Sequence, residues 1–114
     1  MTIDERDSVA EPREFGVDVS TDDGTTVVSV RGEVDLYTAP KLREHLDEAL
    51  QGDLPQVVVD LTQLDFIDST GLGVLVGALK QVRAGGGDMS LRNPSRSTHK
   101  ILEIAGLTEL FSVE

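Results

Sequence analysis

The sequence predicts an α/β fold in a single domain, a small mixed β-sheet of four to five strands covered by helices. Three observations predict it. Short β-branched runs alternate along the chain with longer stretches whose apolar residues recur every three or four positions, the periods of strand and helix respectively. Turn-forming residues stand at the junctions: Asp23-Gly24, Pro40, Pro55, Gly85-Gly86-Gly87 and Asn93-Pro94. At 114 residues the chain can bury a substantial core but is too short for a two-domain enzyme.

Residues 1–14 are polar, with Asp4, Glu5, Asp7, Glu11 and Glu14 set against Arg6 and Arg13. They read as a flexible acidic tail before a domain over 15–114. Phe15, Val17 and Val19 alternate with polar residues, Asp23-Gly24 turns the chain, and Thr26-Val27-Val28-Ser29-Val30 follows. That is a β-hairpin, with Gly32 ending its second strand. A first helix begins near Ala39-Pro40, because Pro40 suits the first turn and Thr38 can cap it. Its apolar face is Leu42, Leu46, Ala49 and Leu50, and Gly52 and Pro55 stop it. Gln56-Val57-Val58-Val59-Asp60-Leu61 is a continuous apolar run of the kind buried on both faces of a sheet. Phe66 and Ile67 extend or follow it. A second helix over about 70–84 buries Leu72, Leu75, Val76, Leu79 and Val82. Met89 and Leu91 form a short strand. A third helix over 97–105 carries Ile101, Leu102 and Ile104, and Leu110, Phe111 and Val113 close the domain as a last strand or turn.

Composition removes many functions. There is no cysteine, which excludes thiolate zinc sites and cysteine nucleophiles and fits a reducing cytoplasm. No apolar stretch approaches a membrane span, and Met1-Thr2-Ile3-Asp4-Glu5 lacks a basic signal-peptide start. A net charge of −11 argues against nucleic acid and favours a basic partner surface, although acidity also serves solubility. Walker-A spacing is absent, and Gly71-Leu72-Gly73 is followed by Gly77, one position off the dinucleotide fingerprint. A nucleophile elbow would need glycine where Ile67 stands. His45 and His99 lie among charged or polar neighbours in helices and read as surface residues. Carboxylates are scattered with no histidine or cysteine cluster, so no metal site is expected.

The run Phe66-Ile67-Asp68-Ser69-Thr70-Gly71-Leu72-Gly73-Val74-Leu75 is the most informative in the chain. Two hydroxyls sit where an apolar strand gives way to a helix, and a helix start offers unpaired N–H groups and the positive end of the macrodipole. A phosphate attached or bound there would be held by the backbone. Equally, Asp68 or Ser69 can simply cap the helix. Glu33 and Asp35, just after the second strand, join Asp68 as a candidate acidic rim facing a partner, or else they serve the turn itself. Tyr37, the only tyrosine, is a contact or packs onto the first helix.

Three segments carry a resemblance: Gly32-Glu33-Val34-Asp35-Leu36-Tyr37-Thr38-Ala39-Pro40, Val57-Val58-Val59-Asp60-Leu61 and Asp68-Ser69-Thr70-Gly71-Leu72-Gly73-Val74-Leu75. In order and spacing they resemble the bacterial anti-sigma factor antagonists of the STAS domain class, over residues 15–113. The resemblance implies a protein that is not an enzyme and needs no cofactor. It implies that the unphosphorylated form binds an anti-sigma factor that is also a serine kinase of the histidine-kinase-like ATPase fold, freeing the sigma factor. It implies phosphorylation on Ser69 as the off-switch and a PP2C-type phosphatase that resets it. The partner-binding residues expected on this basis are Glu33, Asp35, Asp68, Ser69, Thr70, Gly71 and Leu72. Family members commonly continue past the last strand into a helix, whereas this sequence stops at Glu114, so a shortened form or a trimmed end is expected. Two alternatives remain: a STAS subunit that scaffolds a transporter or signalling complex without phosphorylation, and a small nucleotide-binding protein using the Ser69–Gly73 turn as its phosphate cradle.

Overall fold

The structure, a computed structural model, describes residues 13–51 and 56–114. The tail expected over 1–14 lies outside the described residues up to position 12, as do Gly52 and Pro55. Two strands open the domain, β1 (Gly16–Asp22) and β2 (Thr25–Val34). They pair antiparallel from Gly16↔Arg31 to Asp22↔Thr25. Asp23 and Gly24 both have positive φ, 52° and 81°, the conformation a two-residue hairpin turn requires.

Gly32 does not end β2. The strand runs on to Val34, and its register against a further strand shifts between Gly32 and Glu33. Gly32 has φ +88°, and a Cβ there would stand 2.7 Å from the Arg13 carbonyl oxygen. The glycine therefore marks a bulge where the N-terminal segment crosses close by. The first half of β2 pairs with β3 (Gln56–Asp60) and the second half with β4 (Leu64–Ile67), both parallel. Phe66 and Ile67 thus belong to a separate short strand. β5 (Asp88–Arg92) and β6 (Ser112–Val113) complete the sheet in the order β1-β2-β3-β5-β6, with β4 on β2. Six strands are described, where four to five were expected, because β4 and the two-residue β6 both pair.

Among the described residues the helices are α1 (Ala39–Ala49), α2 (Ser69–Ala84) and α3 (Arg96–Ile104). Each crossover, β2-α1-β3, β4-α2-β5 and β5-α3-β6, steps the same way across a parallel sheet. Right-handed connection therefore puts all three helices on one face. The core agrees: Val28, Val30, Val57, Val59, Met89 and Leu91 from the strands cluster with Leu42 and Leu46 of α1, Leu75 and Leu79 of α2, and Leu102 of α3. Each such side chain contributes about 1.5–3 kcal/mol when fully buried. Val76 is only partly buried. Ile104, expected inward, is 78% exposed. It lies about 200° around the helix from Leu102 at 3.6 residues per turn, so Thr98 and Leu102 take the inner face instead.

One consequence of the parallel sheet matters for function. The carboxyl ends of β2, β4 and β5 lie on one edge, and each strand feeds a helix whose N-terminus opens there. In open α/β sheets this is the edge where sites are built.

Candidate docking and phosphorylation site

Val34 of β2 pairs with Ile67 of β4, so Asp35 and Asp68 leave neighbouring strands side by side, one inter-strand spacing of about 4.8 Å apart. Each aspartate accepts from the amides two and three residues ahead, Asp68 as the cap of its helix and Asp35 in the turn that precedes α1. Asp35 Oδ1 accepts hydrogen bonds from the N–H groups of Tyr37 (2.9 Å) and Thr38 (3.1 Å). Asp68 Oδ1 accepts from the N–H groups of Thr70 (3.0 Å) and Gly71 (3.2 Å), and from the Thr70 hydroxyl. Asp68 thereby satisfies orphan amides of its helix, whereas Asp35 satisfies those of the turn ahead of α1. Thr38 does not cap α1 with its side chain. Its hydroxyl instead donates to the Glu33 carbonyl (2.8 Å) and accepts from Asp35 N–H (2.9 Å), tying the loop back onto β2.

Asp68 is thus the cap of α2, and Ser69 is the first helical residue. Ser69 is exposed, and its hydroxyl makes no hydrogen bond among the described residues. Thr70 is also exposed, but its hydroxyl is committed to Asp68. The Thr70 hydroxyl is the main cause holding the Asp68 carboxyl below its usual 3.8, with burial acting against it and the amides of Gly71 and Thr70 reinforcing it. The cap is therefore an anion at neutral pH.

Two of the amides expected to hold a phosphate at the helix start are already committed. Thr70 and Gly71 N–H already serve the Asp68 carboxylate, and Leu72 N–H donates to the Asp68 carbonyl at 3.0 Å. The same occupancy weighs against a nucleotide cradle over residues 69–73, where a phosphate would meet a carboxylate.

Gly71 and Leu72, named among the partner-binding residues, lie inside, Leu72 on the buried face that the helical period predicted for it. Leu72 is 8% exposed and part of the core. A Cβ on Gly71 would stand 2.6 Å from Val34 Cγ1 and 2.7 Å from Ile67 Cγ1. This glycine lets α2 sit down on β2 and β4. In the first turn of a helix, positions 69 and 70 face out when 71 and 72 face in, a distinction the motif alone does not carry. Of the acidic trio, Glu33 is exposed, while Asp35 and Asp68 are half-buried and bound to their turns.

Sequence reasoning offered Tyr37 as a contact but did not name Leu36 and Phe66 as the rest of an apolar edge. Leu36 is 65% exposed, Tyr37 83% and Phe66 45%. Glu33 pairs with Phe66 in the β2–β4 register, so the three apolar side chains belong to the same strand ends as Ser69. Tyr37 does not pack onto α1. Its signal in the sequence was an apolar pair, Leu36-Tyr37, in an otherwise polar loop. Elsewhere, His99 faces Glu103 at 3.9 Å on α3. Among the described residues no group of three His, Cys, Asp or Glu could hold a metal ion, and no helix is long and apolar enough to cross a membrane.

A mostly parallel sheet covered on one face, with an Asp-Ser-Thr-Gly helix start at its carboxyl edge, is the architecture of the STAS domain. Residues 16–114 match that family, and the chain belongs to it. Within the family it groups with proteins named anti-sigma factor antagonists. The anti-sigma-B factor antagonist of Bacillus subtilis (strain 168) is 38% identical over 100 residues, 87% of this chain and 90% of that one. An anti-sigma factor antagonist from Mycobacterium paratuberculosis has a solved structure with TM-score 0.80 and 28% identity, covering 88% of this chain and 85% of that one. SpoIIAA, described as a Bacillus cell fate determinant, superimposes in its unphosphorylated form with TM-score 0.72 and 26% identity over 89% of this chain and 88% of that one. Its phosphorylated form gives 0.66 and 25% over 89% and 91%.

Proposed function

We propose that this chain is an anti-sigma factor antagonist of the cytoplasm, without catalytic activity of its own, switched by phosphorylation of Ser69. The observation that carries this reading is the contrast between two adjacent hydroxyls: Ser69 stands exposed and uncommitted, while Thr70 is locked to Asp68. A kinase needs a hydroxyl that can enter its active site, and only Ser69 offers one at this turn.

In the unphosphorylated state the partner, an anti-sigma factor of the histidine-kinase-like ATPase fold that is also a serine kinase, docks on the carboxyl edge of the sheet. Leu36, Tyr37 and Phe66 supply apolar contact area, and aromatic anchors of this kind dominate interface energies. Glu33 and Asp68 already make this edge acidic, and a phosphate on Ser69 would add to that charge. Phosphorylation adds about −1.5 to −2 charge at pH 7. Against one partner carboxylate about 6 Å away, even a single added charge costs roughly 2.8 kcal/mol at an effective dielectric of 20, a factor of about a hundred in affinity. A PP2C-type phosphatase returns the protein to its binding form. The names of the relatives and the phosphorylated state of SpoIIAA support this reading.

The test is incubation with ATP, magnesium and the cognate anti-sigma factor, followed by intact mass and peptide mapping. One phosphate on Ser69, absent from Ser69→Ala, is expected. Phosphate mainly on Thr70, or surviving in Ser69→Ala, overturns the assignment. No phosphate at all, with the partner still bound, would leave a STAS scaffold subunit.

A further inference from the structure

We infer that Asp68 is a positioning residue of the switch: by occupying the first-turn amides of α2 it keeps a phosphate on Ser69 out at the docking surface. The inference rests on the reading of Ser69 as the phosphoacceptor. A helix N-terminus ordinarily neutralises a nearby phosphate, because its unpaired N–H groups point at the anion. In this protein two of those donors, Thr70 and Gly71 N–H, are already taken. Asp68 Oδ1 accepts from Thr70 N–H at 3.0 Å, from Gly71 N–H at 3.2 Å and from the Thr70 hydroxyl. Its carbonyl accepts from Leu72 N–H at 3.0 Å.

The cap cannot easily step aside. Asp68 N–H donates to the Val34 carbonyl at 3.0 Å, which fixes the turn to β2, and Gly71 is wedged against Val34 and Ile67. A phosphate folding down onto the helix would have to eject an ionised carboxylate from bonds of the stronger, charge-assisted kind. The ejected group would then stand beside the phosphate with no replacement donor. Glu33 on β2 and Asp35 in the loop to α1 are also acids, and Arg13, a cation beside this strand end, is paired with Asp65 of β4. The acids at the turn therefore drive the phosphate outward.

Phosphorylation thus adds its charge where a partner meets it, and leaves α2 as it was. Without the carboxylate, the phosphate becomes the cap itself and much of its charge is spent on the amides. Asp68 then sets how much of the phosphate the partner feels.

To test this, phosphoserine is installed at position 69 during synthesis of the full chain, with no kinase involved, in wild-type and Asp68→Ala backgrounds. The amide proton shifts of Thr70 and Gly71 are followed by NMR while the phosphate is titrated through its second ionisation. In wild type both amides should ignore that titration. In Asp68→Ala both should move downfield with it, and the second ionisation of the phosphate should fall to lower pH. Wild-type amides that track the phosphate overturn the inference, and that measurement stands even where the alanine variant fails to fold. The loss of affinity for the anti-sigma factor on phosphorylation should shrink by about tenfold in Asp68→Ala, a change read directly as a ratio of dissociation constants; an unchanged ratio also overturns the inference. A kinase that ignores Ser69 would defeat the proposed function alone, since the phosphate here is placed without it.

Discussion

Tyr37 projects from a loop whose backbone is held still, because its own N–H donates to Asp35 and the neighbouring Thr38 hydroxyl ties the loop to Glu33. A ring 83% exposed on a fixed backbone is a preorganised anchor, which loses little freedom on docking. Tyr37→Ala should therefore weaken anti-sigma factor binding by about 2 kcal/mol or more without moving the thermal midpoint. Calorimetry beside a melt checks it, and unchanged affinity would remove the loop from the interface. Asp68 yields a pH prediction whose sign follows from its hydrogen bonds. Its folded pKa is lowered from 3.8, chiefly by the Thr70 hydroxyl. The stabilisation it brings is thus complete above that ordinary value and is lost as the pH falls through the lower folded one. Melts of wild type and Asp68→Asn should differ most at neutral pH and converge in acid below about 3.8; a gap that widens in acid would contradict the cap. At this scale the sequence was legible where chemistry is local: a carboxylate and two hydroxyls before an apolar run mark a helix start. It was divided on facing: the helical period placed Leu72 inward while the motif placed Gly71 and Leu72 at the partner surface, and both are core.

Helix α2 contains three glycines with opposite prospects. A Cβ on Gly71 would press to 2.6 Å on Val34 Cγ1, whereas Gly73 and Gly77 have open space around theirs. Alanine in a helix interior gains up to about 1 kcal/mol over glycine, while overpacking against stiff branched side chains costs about 1–3 kcal/mol. Gly71→Ala should thus destabilise by about 1–2 kcal/mol net, whereas Gly73→Ala and Gly77→Ala should each stabilise by about 0.5–1 kcal/mol. Urea titrations of the three variants separate these outcomes, and a stabilising Gly71→Ala would mean α2 sits farther from the sheet. The same close approach shows why whole elements were readable and their junctions were not. The run over 56–61 and the three-and-four spacing of Leu72, Leu75 and Leu79 each declare a period within one segment. β4 does not: Leu64, Asp65, Phe66 and Ile67 are too few to show alternation, and the strand exists because β2 continues past Gly32 to pair with it. Gly32 looked like a stop because only the crossing of Arg13 and Phe15 makes it a bulge. Thr38 stands at the cap position of α1 without bonding it, because its hydroxyl serves the turn ahead, which begins at Asp35 with Ala39 N–H donating to the Asp35 carbonyl at 2.8 Å.

Across the whole molecule, the switch acts on one edge of a fold whose core lies beneath it. The chain carries −11, so one further charge changes its overall field by less than a tenth. Any electrostatic effect of that charge on a partner must be local, within a Debye length of about 8 Å at physiological salt. Ser69→Asp places such a charge on the exposed first residue of α2, next to the Asp68 cap and the apolar trio. An acid in the first turn of a helix is favourable, and Asp68 rather than Ser69 makes the cap, so neither Ser69→Asp nor Ser69→Ala should change stability by more than about 0.5 kcal/mol. Their binding should part company. Ser69→Ala adds no charge and should dock on the anti-sigma factor with wild-type affinity, constitutively, since it cannot be phosphorylated. Ser69→Asp should lose between about tenfold and a hundredfold, the span of one unit charge facing a partner acid under partial screening. Raising the salt should recover part of that loss, because a contact between charges at a wet rim is screened while a steric clash is not. Calorimetry of both variants at two ionic strengths, with melts alongside, distinguishes the cases. A loss that ignores salt points to bulk rather than charge at position 69. Equal affinity of Ser69→Asp and wild type, together with undiminished binding by protein carrying phosphoserine at 69, would take the docking surface away from this edge altogether.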